Sequence, residues 1–206
     1  LTGKDQFRNT IATIKPYKGN RDAKHKPVHY QAIRDYLINV WKAQVVDYIE
    51  ADDALCQEQY TDFILNDTPK TIICTIDKDL DMVPGWHYNF VHDTKYWVEE
   101  LGDLMYMDGE LQGSGLKWFY AQLIMGDPTD NIQGIPKKGK KAAFDALNKC
   151  TTALDMYQAV FYLYVEYIRR VTDIEDVDSV VREAMRQLNE NAQLLWMRRA
   201  PDAPWQ

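Results

Sequence analysis

The sequence has 206 residues, of which 46% are hydrophobic and 27% charged, and this balance predicts one globular domain with room for a small helical subdomain. The longest uninterrupted apolar run spans 159–165, far short of the roughly 20 residues that a membrane-spanning helix needs, so we expect no membrane partner. The three cysteines, Cys56, Cys74 and Cys150, form no CxxC pair, which argues against a disulfide framework or a zinc ribbon and favours a reducing, cytoplasmic compartment.

The charged residues are unevenly distributed along the chain. The net charge of -7 taken alone argues against a nucleic-acid partner, because phosphates repel an acidic surface. However, segments 15–26 and 137–141 together carry nine of the 24 lysines and arginines, whereas acidic residues cluster at 50–53, 77–81 and 126–130. This separation of basic and acidic segments is the first indication of function.

The first half of the chain has the alternation of strands and helices that is typical of an α/β fold. Residues 29–44 place Ile33, Leu37, Val40 and Trp41 at helical spacing and predict an amphipathic helix. The other predicted elements are a strand at 45–49, a helix at 51–65, an almost wholly apolar strand at 68–76 that we expect to be buried on both faces, and a strand at 86–91. We therefore expect a mostly parallel sheet flanked by helices.

From about residue 115 onward the sequence predicts helices. They cover 115–126, 142–147, 151–171 and 178–199. We accordingly expect two parts, an α/β core at 1–112 and a helical subdomain at 113–206.

Three acidic groups lie where α/β proteins place their ligand sites, at the ends of predicted strands and helices. Glu50, Asp52 and Asp53 lie at a strand-to-helix junction, Asp77 and Asp79 follow the strand at 68–76, and Asp127 and Asp130 cap a helix end. Seven converging carboxylates repel one another unless cations lie between them. Mg²⁺ and Mn²⁺ prefer oxygen ligands and need no histidine or cysteine, so the pattern indicates a hard divalent metal.

Each acidic group alone also has an ordinary structural explanation. The segment EADD at a helix start is typical of capping, DKDLD is typical of a solvated turn, and GDPTDN is a common turn sequence. The segment KKGKK can likewise be a solvated basic turn. Only the three acidic groups together, beside two basic segments, favour a metal site.

Four segments in this order resemble motifs of the 5′-nuclease superfamily, which comprises flap endonucleases, bacterial polymerase-associated 5′–3′ exonucleases and phage exonucleases. They are FRNTIATIKPYKGNR (7–21), IEADDALCQEQ (49–59), TIICTIDKDLDMVPG (71–85) and GDPTDNIQGIPKKGKKAAFDAL (126–147). The ending NAQLLWMRRAPDAPW (191–205) is similar to the tail of phage-encoded members.

The resemblance implies a PIN-like α/β core and a helical subdomain that carries a helix–three-turn–helix. It implies a 5′–3′ exonuclease or flap endonuclease that hydrolyses DNA with two Mg²⁺ ions, which Mn²⁺ can replace, and a K⁺ ion at the helix–three-turn–helix. The implied partner is DNA with free 5′ ends or 5′ flaps, bound without sequence preference. The implied setting is a monomer in the cytoplasm of a bacterial cell or phage-infected host, acting in DNA replication or repair.

The resemblance also implies residue roles. The metal ions would be held by Glu50, Asp52, Asp53, Asp77, Asp79, Asp127 and Asp130. Lys18 would approach the scissile phosphate, Arg21 would support it, and Tyr17 would stack on a base near the cleaved end. The duplex would be gripped by Gly134, Lys137, Lys138, Gly139, Lys140 and Lys141. Such a turn binds phosphate through lysines and through backbone N–H groups at a helix start, without reading sequence.

The sequence departs from the family pattern in two places. The usual Gly-Ile-Gly of the hairpin is here Lys137-Lys138-Gly139, so a lysine stands where a glycine is usual. The family also begins with two Asp-bearing strands ahead of the FR segment, and neither is found in this sequence, so we expect an N-terminally truncated nuclease core.

Two other interpretations remain open. One is a DNA-binding fragment that lacks turnover because the leading strands are absent. The other is a PIN-type ribonuclease, although the segment GDPTDNIQGIP is foreign to that group.

Overall fold

The computed structural model describes residues 1–21, 26–201 and 205, so residues 22–25 of the basic segment and 202–204 of the C-terminal motif lie outside the described residues. The helices are α1 Arg8–Ile11, α2 Tyr30–Asn39, α3 Ala51–Leu65, α4 Gly115–Met125, α5 Lys140–Leu147, α6 Ala153–Val171 and α7 Val177–Leu195. The strands are β1 Ile72–Cys74, β2 Gly85–Asn89, β3 Thr94–Val98, β4 Leu104–Met107, β5 Glu110–Gly113, β6 Gly126–Asp127 and β7 Ile132–Gln133, and a 3₁₀ turn spans Lys78–Met82. The predicted α/β class is confirmed.

The largest sheet of the described residues has three strands in the order β1–β2–β3. The pair β1–β2 is parallel, as the sequence predicted, whereas β2–β3 is antiparallel. The strand predicted at 68–76 forms as β1. The prediction that it is buried on both faces is wrong, because Ile73 is buried while Ile72 and Cys74 are exposed. Strand β1 lies at the sheet edge, and its side chains alternate between a covered and an open face.

The strand predicted at 45–49 does not form. Val46 instead makes an isolated parallel bridge with Thr2, and Tyr48 N–H donates to the carbonyl of Lys4 at 2.9 Å. Tyr48 has a φ of 67°, in the left-handed region, and this conformation interrupts the extended backbone that a strand requires.

The hairpin β4–β5 was not anticipated from the sequence. Its two-residue loop is Asp108-Gly109, and both residues have positive φ (53° and 83°), as a type I′ turn requires. The dipeptide Asp-Gly between apolar stretches is the signal that could have predicted this hairpin.

The predicted amphipathic helix at 29–44 forms only as α2, and its apolar side chains do not enter the core. Ile33, Val40 and Trp41 are all exposed. Lys42 has a left-handed φ of 56°, which prevents the helix from continuing to residue 44.

Helices α4, α6 and α7 form the main hydrophobic core. Phe119 and Leu123 of α4 are fully buried. The Tyr164 hydroxyl on α6 donates to the Leu123 carbonyl at 2.9 Å and accepts from Asn191 Nδ2 on α7 at 2.9 Å, so one polar chain connects the three helices. None of the helices that the described residues form is both long and apolar enough to cross a membrane. The predicted division near residue 112 stays a prediction.

Candidate active site

The structure brings six of the seven predicted carboxylates to one cavity of about 230 Å³. These six are Glu50, Asp52, Asp77, Asp79, Asp127 and Asp130. They come from the start of α3, from the segment after β1, and from β6 and the turn that follows it. Four cationic side chains, Arg8, Lys18, Arg21 and Lys78, line the same cavity. Three distant acidic stretches and the first basic segment therefore meet in space.

The acidic residues also have local structural roles. Glu50 is the N-cap of α3 in a capping box, in which the Glu50 N–H donates to Asp53 Oδ2 at 3.0 Å. Asp77 caps the 3₁₀ turn by accepting from the Asp79 N–H at 3.0 Å. Asp127 accepts from the Thr129 N–H at 2.8 Å. Capping thus fixes the backbone that presents the carboxylates, and the two explanations considered for these acids are compatible.

Asp53 lies outside the cavity, which differs from its predicted role as a metal ligand. Its side chain is 0% exposed and forms a bidentate ion pair with Arg8. The distances are 2.6 Å from Arg8 Nη1 to Asp53 Oδ2 and 2.9 Å from Arg8 Nη2 to Asp53 Oδ1. Burial by itself would raise the pKa of Asp53, but the hydrogen bonds and charge of Arg8 outweigh burial and lower it. Arg8 also donates to the carbonyls of Leu194 and Trp196, both at 2.8 Å.

The loop at 17–21 packs against the acids. The Lys18 ammonium contacts Glu50 and lies 3.5 Å from Asp130 Oδ2, and Arg21 lies 2.6 Å from Asp130 Oδ1. The Tyr17 hydroxyl lies within hydrogen-bonding distance of Glu50 (2.8 Å) and Asp130 (2.7 Å). Burial and the charge of Glu50 raise the pKa of Tyr17. Because Tyr17 is only 8% exposed, this placement differs from the predicted stacking on a DNA base.

Two carboxylates of the cavity have strongly raised pKa values. The pKa of Asp52 is raised to about 6, first by burial and then by the charges of Asp77 and Glu50. The pKa of Asp79 is raised to about 7, first by burial and then by Asp77 and Asp127. Crowded carboxylates with raised pKa values are expected where a cation binds between them.

The chemistry of the cavity suits a divalent cation. Among the residues that the structure describes, no group of three aspartate, glutamate, histidine or cysteine side chains is arranged to hold one ion directly. The acidic side chains of the cavity nevertheless offer only oxygen atoms as metal ligands. The buried Gln122 Oε1 has no hydrogen-bond partner among the described residues. This set fits a hard cation that keeps several of its water molecules.

Four polar side chains of the cavity were missed in the sequence: Arg8, Lys78, Gln122 and Thr129. Arg8 belongs to the quoted FR segment, but no role was assigned to it. Gln122 is the one amide of α4 and lies in its mostly apolar stretch 118–125, and a polar residue inside such a stretch is the signal that could have identified it.

The predicted DNA-binding turn forms a groove of about 590 Å³ beside the cavity. Lys15, Gly134, Lys137, Lys138 and Gly139 line it. Lys137 has a φ of 67°, so the lysine adopts the left-handed conformation that a glycine would favour. Gly139 is the N-cap of α5, and among the described residues no side chain caps the first N–H groups of that helix.

The two remaining lysines of the turn are engaged in exposed ion pairs. Lys140 contacts Glu110 at 2.5 Å and Lys141 contacts Asp145 at 2.8 Å. Within the described part of the chain, no ion pair involves Lys137 or Lys138.

The chain is similar to known nucleases in sequence and in fold, although no family model matches it. It is 28% identical over 158 residues to a 5′–3′ exonuclease of Buchnera aphidicola subsp. Acyrthosiphon pisum, an alignment that covers 75% of this chain and 52% of the relative. The chain spans about half the length of the curated relatives it matches.

Two solved structures have the same fold at low sequence identity. A mutant of T5 5′-exonuclease aligns with a TM-score of 0.59 and 14% identity, over 95% of this chain and 71% of that one. A bacteriophage T5 flap endonuclease, in a pseudo-enzyme–product complex with DNA and metal ions, aligns with a TM-score of 0.53 and 17% identity, over 91% of this chain and 82% of that one. The predicted resemblance to the 5′-nuclease superfamily is confirmed.

Replacing Arg8 should destabilise the protein strongly. In Arg8→Met the buried Asp53 carboxylate loses its cation, and breaking a buried ion pair costs about 3–5 kcal/mol. Urea unfolding gives the free-energy change. The control is Arg182→Met, which breaks an exposed pair with Asp176 and should cost less than about 1 kcal/mol.

The double variant Arg8→Met/Asp53→Leu removes both buried charges and should recover part of the loss. The role of the ion pair would be refuted if Arg8→Met were no more costly than Arg182→Met, or if the double variant were less stable than Arg8→Met.

Divalent cations should stabilise the protein more at high pH than at low pH. Because the pKa values of Asp52 and Asp79 are raised to about 6 and about 7, the native state binds more protons than the unfolded chain between about pH 4 and pH 7. Without divalent cations, stability should therefore fall as the pH rises through this window. A bound cation favours the ionised carboxylates and should raise the melting temperature more at about pH 8 than at about pH 5.

Thermal unfolding in Mg²⁺ and in EDTA at both pH values measures this effect. Asp79→Asn serves as the control, because it should weaken the pH dependence seen in EDTA. Equal Mg²⁺ effects at the two pH values would contradict the assignment.

Proposed function

We propose that this chain, whose fold is that of the 5′-nuclease superfamily, forms a metal-dependent nuclease centre that hydrolyses DNA at or near free 5′ ends. The observation that carries the proposal is the convergence of six carboxylates with Lys18 and Arg21 on one cavity. The similarity to 5′–3′ exonucleases and to a flap endonuclease with bound DNA and metal ions supports it. We further propose a role in DNA replication or repair, in a bacterial cell or a phage-infected host.

Two Mg²⁺ ions, or Mn²⁺ in their place, are the proposed cofactors. Glu50 and Asp52 would hold the first ion, Asp79, Asp127 and Asp130 the second, and Asp77 would be shared between them. When bound, such ions activate a water molecule and stabilise the leaving oxygen of the phosphodiester. The neutral amide of Gln122 and the raised pKa values of Asp52 and Asp79 are consistent with a region built to receive positive charge.

Lys18 and Arg21 would act on the phosphate. Lys18 is partly exposed at the edge of the cavity, held there by Glu50 and Asp130. An ammonium in this place offsets the negative charge that develops on the phosphate as the bond breaks. Arg21 is more exposed than Lys18 and, through Asp130, would keep the loop against the carboxylates.

The groove around Lys137 and Lys138 would hold the duplex. Its lysines and the uncapped start of α5 offer charge and backbone N–H groups to phosphate oxygens. Such contacts position DNA without reading sequence, which suits an enzyme that recognises a free 5′ end or a 5′ flap. A K⁺ ion at this turn belongs to the same proposal.

A second candidate function is DNA binding without turnover. Among the described residues, no group of three potential metal ligands is arranged to hold one ion directly, and this finding favours the second candidate. The two candidates differ in whether the chain cleaves a 5′-flapped duplex in Mg²⁺ or Mn²⁺.

The nuclease proposal predicts that Asp77→Asn and Asp130→Asn each lower Mg²⁺-dependent cleavage by at least about 100-fold, while flap-DNA binding is retained. Cleavage of a labelled 5′-flapped duplex, with binding measured in EDTA, tests this. Asp103→Asn is the matched control, because Asp103 is an exposed carboxylate outside the cavity.

Undiminished cleavage in both variants would refute the site. Binding without any cleavage by the unaltered chain would favour the second candidate. Preferential cleavage of single-stranded RNA would favour a PIN-type ribonuclease.

The groove proposal predicts that Lys137→Ala/Lys138→Ala weakens DNA binding and lowers its salt dependence. Each phosphate contact that is lost should reduce the slope of log K against log salt by about 0.9. Fluorescence anisotropy of duplex DNA over a range of KCl concentrations measures the slope.

Lys70→Ala removes a similar charge from an exposed position outside the groove and serves as the control. A slope that falls equally in the control and in the double variant would remove the groove from the interface.

A further inference from the structure

Apart from Arg8, Gln122 is the most buried residue that lines the cavity, and the proposed nuclease function gives it no role. It lies on α4 between Ala121 and Leu123, is 3% exposed, and lines the cavity beside Asp79. Burying an amide in apolar surroundings costs free energy unless both ends are hydrogen-bonded. Its position next to the carboxylates therefore calls for a functional explanation.

The two ends of the Gln122 amide have different environments. Nε2 donates to Asp79 Oδ1 at 2.6 Å. A carboxylate that holds a cation is ionised and only accepts hydrogen bonds, so in the cation-bound state Nε2 faces Asp79 and Oε1 faces away from it. Oε1 is buried, and within the described residues it has no hydrogen-bond partner.

We propose that Gln122 is a positioning residue for the hydrated divalent cation beside Asp79, an inference that rests on the proposed metal-dependent function. Its Nε2 holds Oδ1 of Asp79 and leaves Oδ2 of that carboxylate for the ion. Gln122 thereby orients a carboxylate that serves an ion which few protein groups touch directly.

The amide is suited to this task in a way that charged side chains are not. A glutamate at position 122 would repel Asp79, and a lysine there would place a positive charge against the cation that Asp79 is proposed to hold. A neutral donor holds the carboxylate without competing with the cation for it.

The chain contains a matched control residue. Gln59 is 2% exposed, its Nε2 donates to the Trp86 carbonyl at 2.7 Å, and its Oε1 is also buried without a partner among the described residues. Gln59 lies outside the carboxylate cavity. If both glutamines only stabilise the fold, replacing either one should have the same effect. An effect on ion binding is expected only when Gln122 is replaced.

The test compares Gln122→Met with Gln59→Met in Mn²⁺ binding to the DNA-free protein, measured by electron paramagnetic resonance of the unbound ion. Loss of a hydrogen-bonding partner behind a metal ligand typically weakens affinity by about 10–100-fold, and this is the expected change for Gln122→Met. Gln59→Met should lower the melting temperature to a similar extent and change Mn²⁺ affinity by less than about twofold. If Gln122→Met does not fold, Gln122→Asn retains an amide but withdraws both polar atoms, and the same weakening is expected.

Each failure has its own signature. If the unaltered chain binds Mn²⁺ and Asp130→Asn weakens that binding, but Gln122→Met binds as tightly as Gln59→Met, the role of Gln122 is refuted and the proposed function stands. If the unaltered chain binds no Mn²⁺, both the proposed function and the role of Gln122 are refuted.

Discussion

The buried contact between Arg8 and Asp53 is the constraint on which the arrangement of the cavity depends. It joins α1 to the start of α3 and, through the carbonyls of Leu194 and Trp196, to the end of α7. Neither charge can leave its partner without standing uncompensated in the interior. Because Asp53 also accepts from the Glu50 N–H, the acidic end of α3 is fixed by a carboxylate that itself lies outside the cavity.

The acidic composition and a DNA partner are compatible because of where the carboxylates lie. Six of them converge on one cavity, where the charges of Arg8, Lys18, Arg21 and Lys78 offset part of their own. The groove with Lys137 and Lys138 presents the opposite sign of charge. The net charge of the chain is therefore a poor guide to its partner, and the distribution of charge is a better one.

The sequence predicted most reliably those features that depend on local patterns. Helix α3 begins at Ala51 and ends at Leu65, as predicted, because its capping residues are adjacent in the sequence. The strand expected at 45–49 was wrong, since the left-handed backbone of Tyr48 overrides its β-branched neighbours. The contact between Arg8 and Asp53 joins residues 45 positions apart, and the contact between Gln122 and Asp79 joins residues 43 positions apart. No local sequence pattern encodes such contacts. Hence the acidic segments were found from the sequence, whereas the side chains that hold them were found only from the fold.

The left-handed backbone of Lys137 carries a further consequence. A side chain in this conformation costs roughly 1–2 kcal/mol relative to glycine, so the turn gives up stability at this position. In return the residue places a cationic group where glycine offers none. For the proposed DNA groove, the lysine would exchange backbone stability for a cationic group, and the glycine that is usual in the family pattern would relieve the strain.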